Sequence, residues 1–250
     1  MQTRKTPPAS RTQHAYEQIR AQLLNGKLAP GVKLVISDLC ERFSANQSAV
    51  REALSRLTSE GLVEAKPQRG FRVAPVAPEE LNHLTQVRLL IEEPCIRSAI
   101  AHASIAWEQS IVSALHGLLR TPRHDTAGNV TQEWADAHHN FHRALVATCD
   151  NPWLLRMREM LMLHSERYRW FSIATPGMRR DLSEEYTKIA DAFLAHDVET
   201  AIRLMNEHYV RTTVIVLGEG SEPARKKKSP SARRSAASGG ADAAPQQKTN

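Results

Sequence analysis

The residues best suited to chemistry in this 250-residue chain are the histidines of Ala137-His138-His139-Asn140-Phe141-His142. His138 and His142 are four apart, so on a helix they project from one face and can ligate one ion. His139 points about 100° away. Spacing alone leaves two readings open, because a pair of histidines also suits an ordinary polar face. A zinc hydrolase would place Glu beside the first histidine as general base, and His139 stands there instead. The sequence has no P-loop, GxSxG, Gly-rich dinucleotide loop or Cys/His nucleophile arrangement. Metal-dependent hydrolysis is therefore the weaker alternative.

A second set points to nucleic acid. Gln47, Ser48 and Arg51 are the N-terminal, outward positions of a helical pattern whose buried face is Val50, Leu54 and Leu57. Arg can pair bidentately with guanine, Gln with adenine, and Ser can reach a base or a phosphate. Further on, Arg69-Gly70 puts a cation beside a residue that permits close backbone approach to DNA.

The elements that would position these residues follow from periodicity and punctuation. Ala15, Ile19, Leu23 and Leu24 form a helical stripe that stops at Asn25-Gly26, and Leu28-Ala29-Pro30-Gly31 reads as a turn. Ser37 is expected to cap a short helix, Asp38 to Phe43. Asn46 is expected to cap a second, Gln47 to about Glu60, ended by Gly61. Leu62 to Ala65 and Phe71 to Ala74 can pair as strands around a tip at residues 66–70. Helix, helix, turn, helix and β-hairpin is the order of a winged helix-turn-helix, whose second turn helix lies in the major groove. Ser37 and Asn46 join Gln47, Ser48, Arg51, Arg69 and Gly70 as candidate DNA-binding residues.

Pro78 to Gly218 reads as helical throughout, with about six helices. Stripes at Leu81, Leu84, Val87, Leu90 and Ile91, at Ile111, Leu115, Leu118 and Leu119, and at Ile189, Phe193 and Leu194 predict a bundle. Such interiors commonly hold small ligands or metals. Arg88, Arg167 and Arg169 are candidates for an organic-acid ligand, since guanidinium pairs bidentately with carboxylate. Residues two apart do not share a helix face, so at most one of Arg167 and Arg169 faces a cavity.

The expected organisation is a flexible arm at 1–11, a winged helix-turn-helix at 12–76, an all-helical domain at 77–218 and a tail at 219–250. Ala74-Pro75-Val76-Ala77-Pro78 is the expected hinge, because its prolines remove amide donors and discourage continuous helix. The net charge of +6 resides mostly in the tail, where from Ser221 onward Arg225, Lys226, Lys227, Lys228, Arg233, Arg234 and Lys248 face only Glu222 and Asp242. Ala, Ser, Gly, Pro and Gln fill the rest, a composition expected to be disordered. A basic tail can add salt-dependent phosphate contacts, which makes an architectural DNA-binding protein another alternative. That reading leaves the helical domain without a purpose. Cys40, Cys95 and Cys149 are odd in number and lack CxxC spacing, as expected for a reducing compartment. No apolar run approaches the roughly 18 residues of a membrane span, and the first residues lack a signal-peptide core. The expectation is a cytoplasmic protein.

Specific segments then point to a family. Leu28-Ala29-Pro30-Gly31, Val50-Arg51-Glu52-Ala53-Leu54, Glu60-Gly61-Leu62-Val63 and Gln68-Arg69-Gly70-Phe71-Arg72-Val73 resemble the DNA-binding domain of the GntR family. The resemblance covers about residues 12 to 75. It implies operator contacts by Gln47, Ser48, Arg51 and Arg69-Gly70. In the family this helix more commonly begins with a Ser-Arg-Thr-Pro type sequence. Here it begins Asn46-Gln47-Ser48-Ala49, so the base preference should differ.

Arg88-Leu89-Leu90-Ile91-Glu92 is similar to the Arg-x-x-x-Glu signature of the FadR-type, FCD effector domain. Phe141-His142, Asn151-Pro152 and His208 continue the likeness to about residue 217. His138-x-x-Phe141-His142 and Arg167-Tyr168-Arg169 most resemble a glutarate-responsive repressor subgroup. The resemblance implies a divalent metal, zinc or similar, at positions matching His138, His142, Tyr186 and His208. His138 stands where Asp is usual, and Tyr186 where His is usual. Neutral phenol is a poor ligand at pH 7, so Tyr186 is placed with the effector pocket. His138, His142 and His208 remain as an open site completed by water or an effector carboxylate. The alternative is that these histidines bind an anion directly. The family further implies a homodimer, repression more often than activation, and a small carboxylate or dicarboxylate effector.

Overall fold

The computed structural model describes residues 11–128, 130–172 and 182–217. The expected basic tail, and the expected arm apart from Arg11, lie outside the described residues. The chain is mainly helical, with one small sheet near its start.

Helix α1 (Arg11–Leu24) buries Ala15, Ile19 and Leu23 and ends before Gly26, whose φ of 70° suits the turn that follows. Helices α2 (Ile36–Phe43) and α3 (Gln47–Ser59) make the helix-turn-helix. Asn46 caps α3 as expected, its side chain accepting from the Ala49 amide at 2.8 Å. Ser37 does not cap α2. The helix starts two residues earlier, Val35 is the N-cap without a side-chain bond, and the Ser37 hydroxyl donates to Asp38 instead. Strands β2 (Val63–Lys66) and β3 (Gly70–Val73) form the wing hairpin, with Val63 opposite Val73 and Lys66 opposite Gly70. A further strand, β1 (Lys33–Leu34), pairs with β3, giving the order β1-β3-β2. Leu54, Leu57 and Ile19 anchor this first core.

Six helices follow among the described residues: α4 (Pro78–Ala101), α5 (Ile105–Arg120), α6 (Gln132–Leu145), α7 (Pro152–Ser172), α8 (Leu182–Leu194) and α9 (Val198–Leu217). Ser104 and Thr131 cap α5 and α6. The second core gathers Ile96, Trp107, Ile111, Phe141, Ile189 and Phe193. One expected stripe turns outward. Leu81 is buried, but Val87 is 45% and Leu90 74% exposed, because α4 buries the opposite side through Thr85, Glu92, Cys95, Ile96 and Ala99.

Helix α7 ties the two cores together. Its Leu163 packs into the first core, and His164 approaches Gly61 so closely that an added Cβ there would meet the imidazole at 3.0 Å. Arg167 donates to the Ala74 and Pro75 carbonyls, and the Tyr168 hydroxyl donates to Glu80 at 2.5 Å. The segment expected to hinge freely is thus pinned at its first two carbonyls. Near its other end, α7 buries Arg158. The guanidinium donates to both Glu92 oxygens at 2.8–3.0 Å and to the His142 carbonyl at 2.8 Å.

Both members of that ion pair are almost fully buried. Burial alone would lower the Arg158 pKa, yet Glu92 holds it above the usual guanidinium value. Removing one partner would leave the other charge uncompensated. Glu92→Ala should therefore cost about 3–5 kcal/mol in urea unfolding, and the paired Glu92→Leu, Arg158→Met replacement clearly less. A loss below about 1 kcal/mol in Glu92→Ala would show the charge is solvated in solution.

Candidate nucleic-acid interface and metal centre

The DNA-facing candidates are set by burial on α3. Ala49, Val50, Ala53, Leu54 and Leu57 point into the core, which leaves Gln47, Ser48 and Arg51 exposed on one side near the helix start. Asn46 is exposed at the cap, and Ser37 is exposed in the first turn of α2. The wing tip presents Arg69 and Gly70. Gly70 has φ +81°, which disfavours any side chain, and open space around its Cα. Tyr16 braces α3 against α1: its hydroxyl donates to Glu60 at 2.6 Å and its ring lies 4.0 Å under the Arg56 guanidinium. Sequence patterning did not single out this brace, since tyrosine and arginine here look like ordinary half-exposed positions.

In the helical domain two helices bring their histidines together. Helix α6 supplies His138 and His142, and α9 supplies His208, all 5% exposed or less. One ligating atom from each lies within 4.8 Å of the others. His138 and His142 are linked Nε2 to Nε2 at 3.1 Å. Tyr186 of α8 closes the group, its ring centroid 5.6 Å from both His138 and His208. Trp134 stacks on His138 and Tyr209 on His142. Three buried, convergent imidazoles are the donor set a zinc-type ion accepts, so the residues fit a metal.

The arginine candidates separate. Arg88 lies over the Tyr209 ring at 3.8 Å, and so borders the histidine group through a ring that stacks on His142. Arg167 does not join it, being committed to the linker carbonyls as described above. The side chain of Arg169 lies outside the described residues.

His139 faces elsewhere, as the 100° offset requires. It contacts Glu159 at 2.9 Å and Glu166 at 3.7 Å on α7. The hydrogen bond to Glu159, helped by Glu166, pushes the imidazole pKa up to about 9. This pair borders a cavity of about 450 Å³ between α1 and α6–α7, which Tyr16, Glu17 and Arg20 line from the other side. The cavity does not include the three convergent histidines.

With this geometry in hand, comparison with known proteins defines the class: a DNA-binding transcriptional regulator. Residues 11–73 match the family described as bacterial regulatory proteins, gntR family, and residues 83–211 match the FCD domain. The chain belongs to the GntR family and carries an FCD domain. It is 31% identical over 208 residues to the HTH-type transcriptional regulator BphR of Paraburkholderia xenovorans, covering 80% of this chain and 83% of BphR. It is also 31% identical over 205 residues to the HTH-type transcriptional repressor GlaR of Escherichia coli, covering 80% and 93% respectively. The solved structure of E. coli McbR/YncC shares the fold, with a TM-score of 0.71 at 22% identity over 84% of this chain and 98% of that one. The family and these relatives are regulators and not enzymes, which sets aside the hydrolase alternative. No helix among the described residues is long and apolar enough to cross a membrane.

Because Arg167 binds the linker and Arg88 borders the histidines, the two should separate by assay. Arg167→Ala should quicken amide exchange across residues 74–80 and leave zinc affinity within about twofold. A hundredfold drop in zinc affinity with unchanged exchange would move Arg167 to the pocket.

Proposed function

We propose that the protein is a repressor that holds its operator as a homodimer and releases it when a small organic acid occupies the histidine pocket. The observation that carries this reading is the convergence of His138, His142 and His208, with the Tyr209 ring stacked on His142 and the Arg88 guanidinium over that ring. The assigned parts are a winged head at 12–76, a sensing and dimerising domain at 77–218 and a basic tail at 219–250. As a reader of DNA it would act in the cytoplasm.

On the DNA side, Gln47, Ser48 and Arg51 read base edges while Arg69-Gly70 of the wing approaches the adjoining groove. Ser37 and Asn46, at the starts of α2 and α3, favour phosphate, where helix amides and the positive helix ends face outward. Dimerisation is supported by apolar side chains that the fold leaves uncovered on α4 and α7. Leu90, Trp153, Met157 and Met160 are 48–74% exposed, and apolar surface of this kind commonly marks an interface. Two heads related by a twofold axis suit two half-sites of a near-palindrome.

On the sensing side, His138, His142 and His208 would hold a divalent ion such as zinc, and Tyr186 and Arg88 would line the place of the effector. A bound ion would supply a Lewis-acidic position for an effector carboxylate. The protein's own part is to desolvate that carboxylate and to orient it through the Arg88 guanidinium. A carboxylate or dicarboxylate of about the size of glutarate is the proposed class. The effector must bind one arrangement of the helices better than another, since equal affinity shifts nothing. Helix α7 provides a physical route to the heads, because it contacts the His142 carbonyl and also the linker.

Two measurements test the halves separately. In anisotropy titrations of the upstream DNA at fixed salt, Arg51→Ala should cost about 1–3 kcal/mol, five- to more than a hundredfold in affinity. Unchanged affinity would remove α3 as the reading helix. For the sensor, melting should rise with zinc, fall back with chelator, and rise further with a dicarboxylate from a panel that includes glutarate. Tyr186→His should tighten zinc binding by restoring an imidazole at the fourth place. If chelator changed nothing while a dicarboxylate still stabilised, the histidines would be binding the anion directly.

A further inference from the structure

Beside the three histidines sits a carboxylate that the proposed metal set does not use. Glu185 immediately precedes Tyr186 on α8, and its Oε1 lies 2.6 Å from Nδ1 of His208 on α9. The side chains of His208 and Glu185 are 6% and 14% exposed, so water competes little for this contact. The second oxygen, Oε2, lies 3.6 Å from the exposed Arg211 guanidinium, one helical turn beyond His208. The carboxylate is therefore held between two groups of α9 while its own backbone belongs to α8.

We infer that Glu185 is the positioning residue of the histidine centre, fixing His208 as the Nδ1–H tautomer so that Nε2 is the nitrogen left to ligate an ion. This deepens the metal reading above and rests on it. The chemistry requires it in two ways. A neutral imidazole has one donor and one acceptor nitrogen, and a carboxylate on Nδ1 settles which is which. The same contact stops ring rotation and makes the ligating nitrogen more electron-rich, as carboxylate–histidine pairs do behind metal ions. Its importance is greater here because the fourth ring beside these histidines, Tyr186, is a phenol and not an imidazole. With three nitrogen donors, any freedom in one of them weakens the whole set. Helix α8 then contributes twice from adjacent residues, Tyr186 against the rings and Glu185 behind one of them.

The test uses the full-length protein and has a metal-free arm. Long-range proton–nitrogen spectra of the chelator-treated protein should show His208 as the Nδ1–H tautomer in the wild type and a mixed state in Glu185→Ala. Competition with a chromophoric chelator should show zinc affinity falling about 10–100-fold in Glu185→Ala. Glu185→Gln, whose amide oxygen can still accept from Nδ1, should recover part of that loss. Glu184→Ala is the control, since Glu184 shares the first helical turn but pairs with Lys188 on the surface, and it should leave zinc affinity unchanged. An Nε2–H tautomer in the wild type, or equal zinc affinity in wild type and Glu185→Ala, would overturn the positioning role. A wild type that takes up no zinc while keeping the Nδ1–H tautomer would overturn the metal reading and leave Glu185 orienting His208 for an anion.

Discussion

A buried guanidinium and a buried carboxylate decide how the helical domain is assembled. Glu92 and Arg158 come from α4 and α7, and moving either charge out of water is costly. The cost is tolerable only in the arrangement present here, where two guanidinium nitrogens meet both carboxylate oxygens and one of them also meets the His142 carbonyl. A shift of α7 by a single residue would turn Arg158 about 100° away and strand both charges. The pair therefore sets the register of α7. Everything α7 touches further along depends on that register: Glu159 on His139, Leu163 in the first core, His164 on Gly61, and Arg167 on the linker.

The same contact places the convergent histidines. His142 lends its carbonyl to Arg158 and its ring to the histidine group, so backbone and side chain of one residue serve two networks. Around that point the rings of Trp134, Tyr186 and Tyr209 enclose the imidazoles. Aromatic walls keep water out and strengthen whatever electrostatic contact an anion or ion makes inside. This is a setting for binding and release. Beside the first histidine, where a zinc hydrolase carries its general-base Glu, stands His139.

Much of this was legible in the sequence where a local rule governs the outcome. Asn46 announces α3 because a cap is satisfied within three residues, and Gly26 and Gly61 announce helix ends because each adopts positive φ. The 138/142 spacing places two rings together for the same local reason. The resemblance to known regulators supplied His208 and Tyr186, which no spacing could connect to α6. What escaped depends on distant partners. Strand β1 spans two residues and has no period to read. The α4 stripe through Val87 and Leu90 was correctly apolar, but a pattern does not say what will cover it. The N-cap of α2 is Val35 and not Ser37, because the helix extends two residues further toward the N-terminus. Arg167 looked like an anion ligand because guanidinium seeks oxygen. It found backbone carbonyls of the linker, which only the folded chain brings near. Glu185 and Arg158 were invisible for a related reason, since one charged residue on a helix looks solvated until its neighbours are known.

Gly61 connects the two halves of the molecule through very little chain. It ends the turn after α3, two residues past Ser59, and its bare Cα lies against His164 of α7. The proposed reading helix is thus nearly continuous with the surface that meets α7. In evolutionary terms, the proposed operator choice and responsiveness would not be independently heritable traits here. A descendant that altered the last turn of α3 to suit a new site would also reshape the seat of its head on α7. Retuning one property would then demand a compensating change in the other, which favours duplication of the entire chain over exchange of its heads.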